Sequence, residues 1–359
     1  MVSQPRPTHI SIVALPESMA TPVHGLYETL MMLEAVGRNL SGDGTRLFEI
    51  EIVGPAPGIL RGACGLPLDV HRAMSEVQQT DIVIVTSMFF EDEWITGRHP
   101  QTVAWLKAMH DRGASLCSAC AGALLLAETG LLDGQEATTH WAFAPTFRQN
   151  FPQVRLCIEE MLVTAGPRHE FVMSGAASSW QDLILYLIAR HSSPSTAMAI
   201  GKFLLYSWHE ASQAPYISFM PPADHGDAVI RALQAWLHEH YAVPCPVEEM
   251  VQRSGLPESS FKRRFRNATG YSPLHYVQHL RVEEAKTLLE RTAMPIDQVC
   301  LAVGYEEPAF FRRLFKRLTR ITPGQYRRKF HFPFPARGVT EPVDVGGKPR
   351  HAGRPVGLP

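Results

Sequence analysis

Basic residues recur at a fixed spacing in the C-terminal third of the chain. Three of them reappear fifty positions later: Lys262, Arg263 and Arg266 as Arg312, Arg313 and Lys316. Arginine and lysine side chains bind the O6 and N7 edge of guanine or hold a backbone phosphate. One basic helical face is usually only solvated surface, but a duplicated set favours DNA binding. Which of these residues would contact bases and which would contact phosphates stays open.

A cysteine at a turn of small residues is the second candidate site. Cys120 follows the apolar run that ends at Ala119, and Ala121 and Gly122 lead at once into the apolar segment 123–126. A buried strand, a tight turn and a helix in this order are typical of a nucleophile elbow. Because the N–H groups at a helix start favour negative charge, we expect a thiolate at this position.

Cys117 and Cys120 also have the CxxC spacing of a redox or zinc pair. Cys117 lies inside a predicted strand, however, and no second pair of ligands follows at zinc-finger spacing. We therefore expect neither a metal site nor a bound cofactor. A cysteine that only packs at the turn stays open as an alternative.

Apolar residues accompany the repeated basic residues and indicate the elements that carry them. They are Phe261, Phe265, Pro273 and Tyr276, matched by Phe311, Phe315, Pro323 and Tyr326. A short amphipathic segment precedes each set and ends in glycine, at Gly255 and at Gly304. A helix, a glycine turn and a second helix with a basic face describe a helix-turn-helix unit, so the sequence predicts two units. A long helix through Val277, Leu280 and Leu288 would join them.

Strand and helix patterns alternate in the N-terminal part of the chain. Four short runs rich in β-branched residues predict strands: Ile10–Leu15, Phe48–Val53, Asp81–Thr86 and Ala114–Ser118. Helical patterns follow at Gln101–Arg112 and from Trp180 to His191. This alternation predicts a flavodoxin-like α/β sandwich with a mostly parallel sheet. An all-α domain with the two helix-turn-helix units would follow it.

Charge divides along the same line. Residues 226–330 hold 17 lysines and arginines against 11 acidic residues, whereas residues 1–225 hold 13 against 22. Only the helical part has the positive charge expected of a surface that meets phosphate. No run approaches the roughly 20 apolar residues of a membrane span, and we recognise no signal peptide. Six scattered cysteines give no disulfide framework, so we expect a cytoplasmic protein that does not enter a membrane.

These patterns predict four segments. We expect an α/β ligand-sensing domain at 8–192, a linker at 193–226, the double helix-turn-helix domain at 227–330 and a disordered tail at 331–359. Prolines punctuate the linker, although a helix is predicted at Ala197–Ala211. The tail is rich in Pro, Gly and Arg and poor in large apolar residues, which is typical of disorder.

The C-terminal hundred or so residues resemble the AraC/XylS family of transcription regulators. The likeness is carried by Ile296–Tyr326, with Gly304 at the turn and the segment 322–327 at the end. The resemblance implies two units that enter successive major grooves about 34 Å apart. It implies base-facing residues at Ser259, Lys262 and Arg263 in the first unit and at Pro308, Ala309, Arg312 and Arg313 in the second. Arg266 and Lys316 complete the basic set that we expect to contact DNA.

Two places depart from the family pattern. Arg320 stands where the family often has glycine and where the first repeat has Gly270. Pro308 and Ala309 carry no side-chain hydrogen-bond donor. The second unit is therefore expected to read DNA shape and phosphate more than base edges.

The N-terminal part resembles the class I glutamine amidotransferase-like superfamily of the PfpI type, in the branch fused to an AraC-type module. The likeness is carried by the elbow, by Thr138-Thr139-His140-Trp141, by Pro16-Glu17 and by the segment 131–134. Hydrolytic relatives commonly have histidine directly after the cysteine, where this chain has Ala121. The resemblance thus implies a sensor pocket rather than a catalytic centre. The residues that we expect at a ligand are Cys120, Ala121, His140, Glu17 and Met88.

Together these features predict a sequence-specific DNA-binding transcription regulator and not an enzyme. The resemblance implies an activator that responds to a small nitrogen-containing metabolite, such as an amino acid or a betaine. It also implies RNA polymerase as a partner, and we expect a homodimer. Two alternatives stay open. One is a thiol amidase or protease fused to a DNA-binding module, and the other is a constitutive DNA binder whose α/β domain is a dimerisation scaffold.

Overall fold

The computed structural model describes residues 6–41, 46–90, 94–206, 212–222 and 224–331. The chain forms two units, and the boundary between them falls between Gln213 and Ala214. Apart from His331, the tail predicted to be disordered lies outside the described residues, as do residues 207–211 of the predicted linker helix. No helix in the described ranges has the length and apolar character needed to cross a lipid bilayer.

A seven-stranded sheet forms the centre of the first unit. From one edge to the other its strands are β10 (Leu162–Ala165), β11 (Phe171–Ser174), β7 (Ser115–Ala119), β6 (Ile82–Val85), β1 (Thr8–Val13), β2 (Phe48–Gly54) and β5 (Arg72–Ala73). All neighbours pair in parallel except β10 and β11, which confirms the predicted sheet. Two short ladders lie outside it: β3 (Gly58–Arg61) with β4 (Pro67–Val70), and β8 (Glu136–Ala137) with β9 (Arg155–Leu156).

Helices cover both faces of this sheet. They are α1 (Ala20–Ser41), α2 (Pro100–Asp111), α3 (Gly122–Glu128), α4 (Ala144–Asn150), α5 (Trp180–His191) and α6 (Pro194–Leu204). Residues of α2, α3 and α4 share one apolar core, and residues of α1, α5 and α6 share the other. Strands covered on both faces must be apolar at every position rather than at alternate ones. The strand β6, with sequence IVIV, is accordingly buried along its whole length.

The helix α6 follows α5 after a short turn and packs with it. Ala197 and Ile200 are buried in the core that also holds residues of α5. A Cβ atom added at Gly201 would lie 3.4 Å from the Leu185 side chain, an ordinary van der Waals distance, so α5 and α6 are in close contact there. The sequence predicted this helix within a linker, and in the structure it packs with the first unit.

Seven α-helices lie in the described part of the second unit: α7 (Ala228–His240), α8 (Pro246–Ser254), α9 (Glu258–Thr269), α10 (Pro273–Arg291), α11 (Ile296–Ala302), α12 (Pro308–Thr319) and α13 (Pro323–Phe330). The pairs α8–α9 and α11–α12 are the two predicted helix-turn-helix units, and α10 joins them. Each pair has a separate apolar core, built around Phe261 and Phe265 in the first unit and around Phe311 and Phe315 in the second.

Candidate DNA-binding helices and the elbow at Cys120

Glycine makes the turn of the first helix-turn-helix unit. Gly255 ends α8 with a φ of 64°, a left-handed conformation that glycine adopts without a steric penalty. On α9 the side chains of Phe261 and Phe265 are fully buried, one turn apart on the inner face. The opposite face is thereby turned to solvent. It carries four of the predicted DNA-binding residues, all exposed: Ser259, Lys262, Arg263 and Arg266.

The second helix-turn-helix unit, α11–α12, repeats this arrangement with different residues. Gly304 adopts a φ of 84° in the turn between α11 and α12. Phe311 and Phe315 are fully buried on the inner face of α12. Of the five predicted residues, Ala309, Arg312, Arg313 and Lys316 are exposed and Pro308 is half-buried. Pro308 begins the helix, where its missing N–H costs no intrahelical hydrogen bond.

Both recognition helices end in the same way. The hydroxyl of Thr269 donates to the carbonyl oxygen of Phe265, and its oxygen accepts from the backbone N–H of Tyr271. In the second unit the hydroxyl of Thr319 donates to the carbonyl oxygen of Phe315. The next residue is left-handed in both units, with a φ of 78° at Gly270 and 63° at Arg320. Arg320 therefore replaces glycine without a change of backbone conformation.

The six basic residues predicted to contact DNA on the two helices fall into two groups. Lys262 pairs with Glu258 on its own helix, and Arg312 pairs with Asp297 on α11. Within the described residues the other four make no hydrogen bond or ion pair: Arg263, Arg266, Arg313 and Lys316. The two groups occupy equivalent positions in the two units. Equivalent positions therefore present unpaired cations to solvent twice, fifty residues apart.

The elbow at Cys120 belongs to the N-terminal α/β unit and lies at the carboxyl edge of its parallel sheet. Cys120 follows β7 with a φ of 54°, which an L-residue other than glycine rarely adopts. Its N–H donates to the carbonyl oxygen of Ser174, at the end of the neighbouring strand β11. Gly122 starts α3 so close to β6 that a Cβ atom would lie 2.5 Å from the carbonyl oxygen of Val85. Glycine at position 122 is thus required by this close packing.

The thiol of Cys120 is buried, and the expectation of a thiolate is wrong. Only 4% of the residue is exposed. Burial raises the pKa of Cys120 to about 12, although the backbone N–H of Ala121 and the hydroxyl of Ser87 both favour the charged form. Desolvation of a charged sulfur outweighs the two hydrogen bonds. Burial thus favours the neutral thiol over the thiolate at Cys120.

The loops that follow β1 and β6 meet beside this elbow. Because β7, β6 and β1 are neighbours in the sheet, their carboxyl ends lie at one edge. Ser18 and Met88 form a bridge between the two loops, and Phe89 donates its N–H to the carbonyl oxygen of Glu17. Met88 is 2% exposed and packs in the same core as Cys120 and Ala121. Four of the five predicted ligand residues thus belong to segments that follow these three strands.

The carboxylate of Glu17 is engaged by basic groups rather than free. Its Oε2 atom lies 3.0 Å from Nε2 of His99, and its Oε1 atom accepts from Arg98 at 3.3 Å. The Arg98 guanidinium also lies over the ring of Phe90, 5.6 Å from its centroid. No pattern in the sequence marks Arg98 and His99 as partners of Glu17, because they lie about 80 positions away from it, just before α2.

The fifth predicted residue, His140, lies in the loop after β8. Its Nδ1 atom accepts the N–H of Ala142, and its ring stacks on Trp141 with a centroid distance of 5.4 Å. Burial lowers the pKa of His140, so the neutral ring is favoured. The preceding residue contacts the elbow directly, because the Thr139 hydroxyl donates to the carbonyl oxygen of Cys120 at 2.8 Å.

Gln213 is a further residue near the elbow that sequence reasoning missed. It is 1% exposed, and its Nε2 atom donates to the carbonyl oxygen of Thr139 at 2.8 Å. Its backbone N–H donates to the carbonyl oxygen of Glu159. A Cβ atom at Gly175 would lie 2.3 Å from Nε2 of Gln213, so glycine makes room for this side chain. No local pattern marks Gln213, which lies in a stretch predicted as a linker.

Comparison with known proteins gives the same division of the chain. The helix-turn-helix domain model matches residues 250–329, and the DJ-1/PfpI family model matches residues 45–171. The HTH-type transcriptional regulator CdhR of Pseudomonas aeruginosa is 25% identical over 84% of this chain and 87% of its own length. The HTH-type transcriptional regulator GlxA of Rhizobium meliloti is 26% identical over 80% of this chain and 87% of its own length. The crystal structure of an AraC family transcriptional regulator from Pseudomonas putida is similar with a TM-score of 0.44 and 16% identity, over 55% of this chain and all of that one.

Proposed function

We propose that this chain is a transcriptional regulator of the AraC/GlxA family that binds DNA through its helix-turn-helix domain. Both α9 and α12 contact one DNA duplex, and a small metabolite controls this binding. The metabolite binds beside Cys120 in the DJ-1/PfpI domain. By analogy with the family, the complex is a homodimer that activates transcription through RNA polymerase, and the effector is a small nitrogen-containing compound such as an amino acid or a betaine.

The repetition of unpaired cations carries the DNA part of this proposal. Arg263 and Arg313 occupy the same position on α9 and α12, are exposed, and keep all their N–H groups available. A guanidinium that is not held by a carboxylate can form two parallel hydrogen bonds with one guanine. Ser259, Lys262 and Arg266 on α9, and Pro308, Ala309, Arg312 and Lys316 on α12, are the further DNA contacts in this proposal.

Loss of either arginine tests this part. A duplex is first selected from a random-sequence pool with the full chain. We expect Arg263→Ala and Arg313→Ala each to weaken binding to that duplex by about 1–3 kcal/mol, because a base contact is lost. Arg291→Ala removes one positive charge from α10 and serves as the control, with a smaller loss that salt screens. Unchanged affinity in both arginine variants would contradict the proposal.

A chain of contacts leads from the elbow to Gln213, the last residue before the C-terminal helical unit, and supports control by a ligand. The Thr139 hydroxyl bonds the backbone of Cys120, and Gln213 bonds the backbone of Thr139. The next peptide bond joins Gln213 to Ala214, the first residue of the C-terminal helical unit. Within that unit the buried ammonium of Lys286, on α10, donates to the carbonyl oxygen of Ile217 at 2.7 Å. A ligand that displaces the loop at Thr139 would therefore move the anchor of the connecting segment.

A thermal-shift screen tests whether the elbow binds a ligand. The full chain is heated with a panel of amino acids, quaternary amines and polyamines. A compound that binds the native state raises the melting temperature as its concentration rises. We expect Cys120→Ala to abolish this shift and Cys117→Ala to keep it, since Cys117 is equally buried but packs in the other core. Absence of any shift across the panel favours a dimerisation scaffold instead.

Gln213→Ala separates binding from response. We expect this variant to bind the effector and the selected duplex as the wild type does, but to lose the change in DNA affinity that the effector causes. A ligand can shift an equilibrium only through a difference in affinity between two states. The exposed Gln78→Ala is the matched control. A Gln213 variant with a full effector response would contradict this route.

The same site is proposed to lack hydrolytic activity. Attack on an amide needs a thiolate or a base that takes the proton of the thiol. Cys120 is a neutral buried thiol, and Ala121 stands where hydrolytic relatives commonly have histidine. We expect no turnover of a panel of primary amides and peptides by the full chain. Turnover that Cys120→Ala removes would establish the amidase alternative.

A further inference from the structure

The two helix-turn-helix units have separate cores that share one helix. Val277 and Leu280 of α10 pack in the first core with Phe265. Val282, Ala285 and Leu289 of the same helix pack in the second core with Phe315. The change from one core to the other falls between Leu280 and Val282. A continuous helix sets the distance between the units, but torsion about its axis and tilting of each unit need a further restraint.

Arg281 occupies that point of change and bonds to both sides of it. The residue is 7% exposed. Its Nε atom donates to the carbonyl oxygen of Tyr241 at 2.7 Å, and its Nη2 atom donates to that of Val243 at 2.9 Å. Both acceptors lie in the connection from α7 to α8, which leads into the first unit. Its Nη1 atom donates to the carbonyl oxygen of Gly304 at 2.8 Å, in the turn of the second unit.

The arrangement around this guanidinium is specific to arginine. All three nitrogen atoms donate to backbone carbonyl oxygens, and the group lies over the Tyr305 ring, 4.8 Å from its centroid. No carboxylate in the described part of the chain pairs with it, so three carbonyl dipoles and an aromatic face offset the cost of burying the charge. Lysine has one nitrogen atom and cannot reach three acceptors in this fixed geometry.

The two backbone segments that Arg281 bonds also touch each other. A Cβ atom at Gly304 would lie 2.6 Å from the carbonyl oxygen of Ala242. Glycine therefore allows the turn of the second unit to lie against the 241–243 segment of the first. Tyr241 packs against residues of both cores. This is a backbone-to-backbone contact held by one side chain.

We propose that Arg281 is a positioning residue that fixes α9 and α12 at the spacing and rotation of two successive major grooves. It contacts no DNA in this role and acts by holding the Gly304 turn on the 241–243 segment. Because both units must meet one duplex, this inference rests on the proposed function. Its signature is strict dependence of DNA binding on the distance between the two half-sites, and relaxation of that dependence when Arg281 is changed.

The test compares duplexes that differ by one inserted base pair. The selected duplex is used as it stands and with one base pair added between the segments that the two units protect. The insertion turns one half-site by about 35° and moves it by about 3.4 Å. We expect the wild type to lose about tenfold or more in affinity on insertion. Arg281→Met and Arg281→Lys should lose much less, because each unit can then settle in its own groove.

The ratio of the affinity for the selected duplex to the affinity for the duplex with the inserted base pair distinguishes a positioning role of Arg281 from a role in stability alone. Lys286→Met is the control, since Lys286 is also a buried cation on α10 but bonds Ile217 and Glu283. It should lower stability and keep the wild-type ratio. Gly304→Ala disturbs the same contact from the opposite side and should reduce the ratio even if Arg281→Met does not fold. A wild-type ratio in Arg281→Lys and Gly304→Ala would overturn the proposal.

The proposed function itself fails in a different way. A wild type that binds both duplexes equally would overturn the positioning role. If Arg263→Ala and Arg313→Ala still weaken binding in that case, the assignment of both units to DNA stands. If neither arginine matters on the selected duplex, the proposed DNA contacts are wrong whatever Arg281 does.

Discussion

The two helix-turn-helix units share their interior and differ on their surface. Buried phenylalanines, the threonine that ends the recognition helix and the left-handed residue after it recur at equivalent positions. Three positions of the recognition helices differ: Ser259 corresponds to Ala309, Glu258 corresponds to the half-buried Pro308, and the exposed Arg264 corresponds to the buried Leu314. Requirements of packing and backbone conformation are therefore met in both copies, and the basic residues recur as well, whereas the positions at the start of each recognition helix differ.

The difference also extends to how each unit holds its buried tyrosine. Tyr276 of the first unit accepts a hydrogen bond from Gln234 of α7. Tyr326 of the second unit donates to Glu290 of α10 at 2.6 Å, and burial together with this carboxylate raises the pKa of Tyr326. The same ring fills the same place, but its hydroxyl finds its partner on a different helix. A repeated core does not require a repeated hydrogen-bond network.

The largest expected effect tests whether the two cores are equivalent. Phe261→Ala and Phe311→Ala each remove a fully buried ring, and we expect each to lower the free energy of unfolding by about 3–5 kcal/mol. Urea unfolding followed by circular dichroism measures the loss. Phe310→Ala is the control, because its side chain is 37% exposed and should cost less than about 1 kcal/mol. A mild loss in only one of the two would show that the cores differ in tightness.

A smaller effect is expected at the ends of the recognition helices. A Cβ atom at Gly270 would meet no atom within 4 Å, so Gly270→Ala introduces left-handed strain and nothing else. We expect a loss of about 1 kcal/mol. Arg320→Gly removes the same strain and should raise the melting temperature, with a gain of at most about 1 kcal/mol. Two shifts of the same sign would mean that side-chain contacts of Arg320 outweigh its backbone strain.

The surface difference predicts unequal sequence reading. Ser259 can donate and accept hydrogen bonds at a position where the second unit has Ala309. We expect Ser259→Ala to reduce base discrimination at one position of the first half-site by about 0.5–1.5 kcal/mol. Binding to duplexes with single base changes measures this. Ala309→Ser should leave the preferences of the first half-site as they are, and a change there would contradict the separate reading of the two half-sites.

The smallest expected effect is a pH dependence that comes from the pair of Asp227 on the N-terminus of α7 and Arg264 on α9. Hydrogen bonding to Arg264 holds the pKa of Asp227 below its ordinary value. A depressed pKa stabilises the fold above the ordinary pKa of an aspartate, and this contribution is lost as the pH falls through the folded-state pKa. Arg264→Gln should therefore destabilise at pH 7 and have little effect near pH 2. Equal effects at both pH values would contradict an ionic contribution. The effect is small because the Arg264 side chain is 44% exposed, so water screens the ion pair.

The fold could be predicted where one local requirement repeats along the chain. Glycine at positions 255 and 304 and phenylalanine at one-turn spacing predicted both helix-turn-helix units correctly. The four predicted strands lie within about two residues of β1, β2, β6 and β7, as in β1, which was expected at Ile10–Leu15 and is found at Thr8–Val13. The sheet strands β5, β10 and β11 were not predicted. Ala14 and Leu15 are buried but lie beyond the last paired residue, so an apolar pattern alone overextends the strand.

Contacts between distant segments could not be predicted. The partners of Arg281 are backbone carbonyl oxygens, which every residue has, so no sequence pattern marks them. Gln213 lies in a stretch without periodicity, and its partner Thr139 is 74 positions away. The predicted negative charge of Cys120 was wrong for a related reason. The helix start was visible in the sequence, but the depth of burial that opposes it depends on the loops from β1 and β6.

The shared helix α10 has a consequence for how the two helix-turn-helix units unfold locally. Unfolding of α11 and α12 would expose Val282, Ala285 and Leu289 to water, and unfolding of α8 and α9 would expose Val277 and Leu280. In either event half of α10 keeps its packing and stays protected. Amide hydrogen exchange should therefore be slowest in the middle of α10, and each reading unit should exchange with its own rate. In the proposed complex with DNA, one helix-turn-helix unit could then release its groove while the other still holds the duplex.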